Sequence, residues 1–524
     1  MRVIARDRHV NGLNGEFLCI KGRFAHPFVN DEARLRMPLI RYKKGGRLIP
    51  ATWDEAIKFA AAKIKAVAET HGPDALAVVG SPRITNESNY ALLKFAKEVI
   101  GTENYAATDA FSLLPFLRNL SAPLATHHDI RHAKTIVLIG GEPEELQPLT
   151  GKQIRQAVRN GGAKLIIFNN TPIRLKQQAS HFVHIHRGTE DAVVLALTDA
   201  AQAKLAARKM GVEIGALEAA TRLINESEGD VIVMFGGELS GEAQALLSQL
   251  AVQIPAREER RLLFHPLPLF NNSIGAHDVG LMNGALGAAD VVSAAGQGLK
   301  GVYMAGSFLP DHMAGHEQAL AELDLLIVQE LFETETTRYA DVVFPAASFA
   351  EVDGTFTNND GFVQRVRQSI SPVHQAKPDW VITSMIATEL GLDFNFQMSA
   401  SNVFKEIVER VPAYAGLRYP LLKDESKPVQ AKHQIHSGGD ASSVAEVVRE
   451  RIDAMPDGSG DKIMGTPEVG HELFKIGTLT DKVPQFHLLA AGNPMPETFA
   501  VSPLYQITID ETLRQPVAAT NVGD

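Results

Sequence analysis

The sequence predicts an α/β fold whose core is a doubly wound, mostly parallel sheet. Three observations predict it. Short, continuous apolar runs recur at 135–139, 164–168, 183–186, 231–235, 302–305 and 325–328, and such runs mark strands buried on both faces. Ala-rich stretches long enough for helices separate several of them, notably 191–207 and 241–252. No internal repeat replaces this strand–helix alternation with a solenoid.

The elements follow in order. Residues 1–45 are Gly-rich and basic without a helical period, and read as strands and loops. T-W-D-E at 52–55 is a capping box, with Thr52 as cap and Glu55 three residues on, which starts a helix running to 69. A strand at 75–80 ends in the turn Ser81–Pro82, and a helix at 86–100 stops at Gly101, a usual C-terminal glycine. After 325–328 a turn rich in Thr and Glu leads to a short strand at 341–344, stopped by Pro345, which has no N–H to donate. Next comes a loop with Gly354 and Gly361 around Thr355, Thr357, Asn358 and Asn359. Ligands of parallel sheets bind beyond the carboxyl ends of strands, and these small hydroxyl and amide side chains suit a large polar ligand. Helices are expected at 378–390 and 401–411. From 423 to 467 the composition shifts to a flexible linker holding one helix, at 443–455. The last segment, 468–524, is mixed and weakly periodic.

Composition narrows the function. The chain has 524 residues, enough for roughly three domains at ~150 residues each. A net charge of -10 argues against nucleic acid as the main partner, because phosphate binding needs a clustered basic surface. A single cysteine forms no intrachain disulfide. The first residues are too polar for a signal peptide, and no apolar run approaches the ~20 residues of a membrane span.

The longest motif is T-E-T-x-x-x-A-D-V-V-x-P-A followed by E-x-D-G-T-F-x-N-x-x-G-x-x-Q, across 334–364. It resembles the signature of the molybdopterin oxidoreductase superfamily, which includes formate dehydrogenases, nitrate reductases and the large iron–sulfur subunit of NADH:quinone oxidoreductase, respiratory complex I. T-N-E-S-N-Y-A-L-L-K-F-A-K-E-V-I-G at 85–101 looks closest to that large complex I subunit. The resemblance covers about residues 10–420 and implies two interleaved domains. One is discontinuous, 46–128 plus 306–422, and the other is a Rossmann-like insert at 129–305. Residues 1–45 would be a small β remnant of an iron–sulfur domain. H-E-L-F-K-I-G-T-L-T at 471–480 resembles the start of an incomplete C-terminal barrel.

The resemblance also implies sites. In F-L-C-I-K-G-R-F, Cys19 matches the fourth ligand of a [4Fe-4S] cluster, and Lys21 lies between cluster and pterin. Such a cluster normally takes four thiolates, so upstream or partner cysteines would have to complete it; Cys19 is otherwise a small buried hydrophobe. Gly140 and Gly141 let the backbone approach a ligand, or simply serve the sheet's turn. The superfamily has Asn where this chain has Glu142, and a carboxylate repels pyrophosphate. Asn272, Gly275 and Asp278 match a pterin-contacting loop, or an Asn/Gly-rich turn, and Thr355 and Asn358 belong with them as pterin-site equivalents. Ser112 or Thr108 falls where catalytic members carry a molybdenum ligand, and no cysteine does. Thr189, with Glu190 and Asp191 in a first helical turn, is explained by the helix dipole alone.

Other patterns are weaker. His127, His128, Asp129 and His132, and likewise His181, His184 and His186, hint at metal, but read as surface histidines without converging ligands. G-Q-G-L-K-G at 296–301 precedes a strand and so fails as a dinucleotide loop. The expected function is a scaffold or electron-transfer subunit of NADH:quinone oxidoreductase. That reading carries no catalytic residue and argues against molybdopterin guanine dinucleotide. It implies flavin- and iron–sulfur-containing peripheral-arm partners, and a cytoplasmic place beside the membrane through the complex. The alternatives are an active molybdopterin-dependent oxidoreductase of the formate dehydrogenase type, and a non-enzymatic degenerate paralogue.

Overall fold

The computed structural model describes residues 3, 14, 17–19, 22–23, 26–109, 112–253, 260–308, 317–424, 426–436 and 441–458. They build two parallel sheets, as the apolar runs predict. The larger sheet contains β1 (Leu39–Ile40), β2 (Ile49–Pro50), β3 (Leu76–Gly80) and β4 (Tyr105–Ala107). The smaller contains β5 (Thr135–Ile139), β6 (Lys164–Asn169), β7 (His181–His184), β8 (Val231–Phe235) and β9 (Leu262–Pro266). The chain then returns to the larger sheet with β10 (Gly301–Ala305), β11 (Leu325–Glu330) and β12 (Val342–Pro345). A third, three-stranded antiparallel sheet joins β13 (Gly354–Thr357), β14 (Phe362–Val366) and β15 (Val429–Gln430).

The larger sheet runs β2-β1-β12-β11-β10-β3-β4, and the smaller runs β7-β6-β5-β8-β9. All pairs of the smaller sheet are parallel, and so are those from β12 to β4; only β1 and β2 add antiparallel edges. Strand order reverses once in each sheet. The reversal falls between β3 and β10 in the larger sheet and between β5 and β8 in the smaller one. In doubly wound sheets these reversal points open the crevice where ligands bind.

Helices cover the faces. Those used below are α1 (Trp53–His71), α2 (Asn86–Lys94), α3 (His127–His132), α4 (Pro148–Gly161), α5 (Glu190–Thr198), α6 (Gly241–Ser248), α7 (Ser273–Asp278), α8 (Asp379–Glu389), α9 (Ala400–Arg410) and α10 (Ala441–Ala454). Thr52 caps α1 by accepting from the Glu55 N–H at 3.2 Å. Glu55 spends its carboxylate on the Tyr42 hydroxyl. The helix expected at 86–100 changes pitch after Lys94 into a π turn, Phe95–Ile100, before Gly101 closes it in a left-handed conformation. The long helix expected at 191–207 is broken at Asp199, whose side chain accepts from the Ala201 N–H at 2.9 Å and starts a new turn. That competition between side chain and helix ladder is usual for Asp.

Two expectations need correction. The glycine-containing stretch at 354–366, read as a loop, is a hairpin: Gly354 faces Val366 and Thr357 faces Val363. Residues 423–467, read as a flexible linker, are docked in the part that is described. Val448 and Ile452 of α10 are fully buried in the core under α5 and α6, and Lys209 donates to the Asp453 carbonyl at 2.9 Å. The polar composition misled because the helix keeps one apolar stripe among exposed charges. The expected barrel start at 471–480 lies outside the described residues.

Candidate functional site

Each reversal point holds a different set of side chains. In the larger sheet, β3 runs into Ser81 and Arg83, and β10 runs into Gly306 and Ser307. Gly306 sits at φ +90°, and a Cβ there would stand 3.5 Å from both Arg83 Nη2 and Ser81. The Arg83 Nε donates to Ser81 Oγ at 3.4 Å, and among the described residues no carboxylate lies within ion-pair distance of its guanidinium. Under this edge, Glu330 is buried at the end of β11 and accepts from the Ser307 hydroxyl at 2.8 Å. Burial raises its pKa, while Arg83 and Arg34 pull it back. The crevice thus offers a forked cation, small hydroxyls and a glycine that allows close approach.

The smaller sheet is the reverse. Gly140 and Gly141 follow β5 at φ +63° and +68°, and Gly236 follows β8. The carboxylate of Glu238 lies across all three: it accepts from the Gly141 N–H at 2.9 Å, and a Cβ on Gly140 would meet its Oε2 at 2.7 Å. Glu142 and Glu190 are nearby in the same edge, on the turn after β5 and at the start of α5. Burial pushes Glu142 and Glu190 each up to about 7, and also raises Glu238. Glu190 accepts from the Asn170 amide at 2.9 Å. This edge is lined with carboxyls, and one of them fills the glycine turn.

The other predicted residues are brought together, but into an internal lock. Thr355 is fully buried, its N–H donating to Glu87 Oε2 at 2.7 Å and its hydroxyl to Oε1 at 3.0 Å. Asn272 accepts from the Thr357 N–H at 2.7 Å and donates to the Ile84 carbonyl at 2.8 Å. Asn86 donates to the hydroxyls of Thr355 and Thr357, each at 3.1 Å. Gly275 is where α7 presses on α2: a Cβ would stand 2.1 Å from the Asn272 and Asn86 side-chain oxygens. Asp278 pairs with His433 at 2.8 Å, and Asn358 Oδ1 accepts from the N–H groups of Asp360 and Phe362, at 3.1 and 2.9 Å, holding the hairpin turn. Burial pushes Glu87 up to about 7 despite these donors. Thr355 and Asn272, assigned to a ligand from sequence, bond between the hairpin and the residues of α2 and α7, whereas Asp278 keeps Oδ2 without a hydrogen-bond partner among the described residues.

Cys19 is a free thiol, partly exposed, accepting from the Gly22 N–H at 3.3 Å. Lys21 lies outside the described residues. Ser112 accepts from the Leu114 N–H at 3.2 Å, and Thr108 is fully buried against the Gly80 carbonyl. His184 and His181 each point a ring nitrogen at a backbone carbonyl. Arg83 and Glu238 escaped the sequence reading. Their signal is positional: each lies within three residues after the end of a strand that flanks a reversal point, which requires the strand order.

The sequence model of the molybdopterin oxidoreductase family matches residues 34–389. The chain belongs to that family. It is 29% identical over 486 residues to the F420-dependent formate dehydrogenase 1 subunit alpha of Methanococcus maripaludis, covering 77% of this chain and 69% of that one. It is 26% identical over 488 residues to the Bacillus subtilis protein YrhE, provisionally named a formate dehydrogenase, covering 80% of this chain. The chain spans about half the length of that relative, 49%. The acetylene hydratase of Pelobacter acetylenicus shares the fold with a TM-score of 0.63 at 14% identity, over 88% of this chain and 76% of that one. The formate dehydrogenase names of these relatives overturn the expected role as a subunit of NADH:quinone oxidoreductase. The T-N-E-S helix, which prompted that reading, is the part of the hairpin lock that grips Thr355 through Asn86 and Glu87.

This molybdopterin oxidoreductase is thereby expected to take a molybdopterin, and the expectation against the dinucleotide finds no support in its relatives. The side chains answer differently at the two crevices. Beside Gly306, the unpaired Arg83 fits the phosphate of such a group. At Gly140 and Gly141 the Glu238 carboxylate stands where an anion would lie, with Glu142 and Glu190 behind it, and the fit fails. A four-thiolate cluster does not fit the one cysteine of this sequence without three thiolates from elsewhere. Among the described residues no helix is long and apolar enough to cross a membrane.

Proposed function

We propose that this chain is the pterin-binding part of an oxidoreductase of the formate dehydrogenase type. The observation that carries the reading is the unpaired Arg83 at the reversal point of the larger sheet, in a chain whose relatives are named formate dehydrogenases over most of its length. Bound molybdopterin supplies a metal centre for two-electron redox chemistry. Arg83 would hold its phosphate, Ser81 orients the guanidinium, and Gly306 leaves room for the ligand to approach. Glu330 lies beneath them, its pKa raised by burial and drawn back by Arg83 and Arg34. The hairpin lock ties β13 to the helices that carry Asn86, Glu87 and Asn272.

Electrons would leave through partner chains carrying iron–sulfur or flavin groups, and any seat at a membrane surface would come through those partners. The test is anaerobic purification followed by elemental analysis, fluorescence of the oxidised pterin, and formate oxidation with an artificial acceptor dye. Stoichiometric pterin with molybdenum or tungsten, and dye reduction that depends on formate, is the expected result. Protein without pterin, from cells that load other molybdopterin enzymes, sinks the reading.

A further inference from the structure

Two reversal points give this chain two crevices of the kind that seats a nucleotide, and the smaller sheet keeps one of its own side chains in its crevice. We propose that Glu238 is a built-in occupant of the Gly140–Gly141 turn, standing where a ligand phosphate would lie. It thereby limits the chain to one pterin dinucleotide, seated at the larger sheet. The count of one rests on the function proposed above; the occupation of the turn does not.

The geometry of the turn carries the argument. Two backbone donors meet in it, the N–H groups of Gly141 and of Glu238 itself, and the Glu238 carboxylate takes both. The Gly141 bond measures 2.9 Å. Converging backbone N–H groups of this kind bind anions. The other carboxylate oxygen, Oε2, accepts no hydrogen bond among the described residues. It lies over Gly140 and Gly236, where a Cβ on either would collide with it. Behind the turn, the Asn169 amide donates to the Gly141 carbonyl at 2.9 Å and holds it in place. This is an anion cradle, and the anion in it belongs to the chain.

The occupant is held on both sides. Before it, the Gly236 N–H donates to the Ile139 carbonyl at 3.1 Å. After it, Leu239 is buried and its carbonyl accepts from Gln244 of α6 at 3.1 Å. The Ser240 N–H then donates to Asp191 at 3.0 Å. With the backbone pinned in this way, the turn empties only if the Glu238 side chain rotates away, and that surrenders both of its N–H donors. Neutral or charged, the carboxyl fills the same volume, so protonation alone does not open the crevice. Above about pH 7, Glu142 and Glu190 on the same edge add negative charge against a phosphate.

The test uses the full chain and has two independent readings. After anaerobic purification, acid hydrolysis should release one nucleoside monophosphate per chain, and two overturn the proposal. None defeats the function proposed above and leaves the occupation of the turn to the second reading. For that, the full chain is made in cells that synthesise no pterin, with Arg83→Ala to silence the larger crevice. It is titrated calorimetrically with GDP at about pH 6, where Glu142 and Glu190 are largely protonated. Adding Glu238→Ala should tighten GDP binding at least tenfold, while adding Glu242→Ala, an exposed glutamate of α6, should not. If Glu238→Ala fails to fold, Glu238→Ser is read in its place. Equal affinity with and without the Glu238 carboxyl overturns the proposal. So does the absence of binding in both, because an emptied anion cradle should take a phosphate.

Discussion

The β3–β10 and β5–β8 crevices are the same topological place in two sheets of one chain, and they have opposite chemistry. One ends in Arg83 beside a glycine, Gly306, whose Cβ position would contact Arg83 and Ser81 at 3.5 Å. The other ends in two glycines with the Glu238 carboxylate resting on them. A glycine turn at a reversal point is therefore not by itself an anion site. What differs is the first charged side chain after the neighbouring strand: Arg83, three residues after β3, and Glu238, three residues after β8. Sheet order creates the crevice, and the proposed phosphate seat rests on which charge stands at its edge.

The largest test of that comparison is to exchange its decisive charges. Arg83→Ala removes the only cation of the described crevice that has no carboxylate partner. Truncating one side of a desolvated charged pair costs roughly 2–5 kcal/mol. Pterin recovered per chain should fall at least tenfold. Glu238→Gln should leave it within twofold, since the smaller crevice is not the seat. Equal loss in both variants would break the contrast.

A second test asks whether the Glu238 carboxylate really fills the glycine turn. Gly140→Ala places a methyl 2.7 Å from Oε2 at a φ of +63°. The left-handed backbone alone costs alanine roughly 1–2 kcal/mol, and the clash adds to it. Urea unfolding should show a loss of roughly 2–4 kcal/mol for the single variant. In a Glu238→Ala background only the backbone part should remain, giving a coupling of about 1 kcal/mol or more. Additive effects would mean that Glu238 does not occupy the turn.

Much of this fold was legible in the sequence. The parallel sheets followed from apolar runs that the structure turns into fully buried strands such as β5 and β8. β9 went unread because Leu262–Pro266 is short and contains His265, a residue that a propensity reading does not place in a core. The site was less legible. Thr355, Asn272 and Gly275 stand out in the sequence, but a hydroxyl or amide at a sheet edge can serve a ligand or a neighbouring strand equally well. Only the position of α2 shows that Asn86 and Glu87 claim them. Arg83 and Glu238 acquire meaning from strand order, which no local pattern encodes. His127, His265 and Asp360 meet only once the smaller sheet packs against the hairpin, and no local pattern encodes that either.

The smallest effect is in pH, and its sign separates the crevices. Glu190 is held near neutrality by burial first, with the Glu238 charge adding, so its folded pKa of about 7 exceeds that of an unfolded glutamate. Between about 4.3 and 7 the folded state then binds more protons than the unfolded one, and stability falls as pH rises through that window. Glu87 and Asp379, pushed up to about 7 and about 8, contribute slopes of the same sign, so the difference between variants is the quantity to read. Glu190→Gln should flatten the wild-type slope by about 2 kcal/mol between pH 5 and 7 in urea titrations. Arg83→Ala should steepen it, because Glu330 loses the cation that draws its pKa down. Should both variants move the slope in the same direction, the two edges are not electrostatic opposites, and the assignment of the phosphate seat to the larger sheet loses its physical basis.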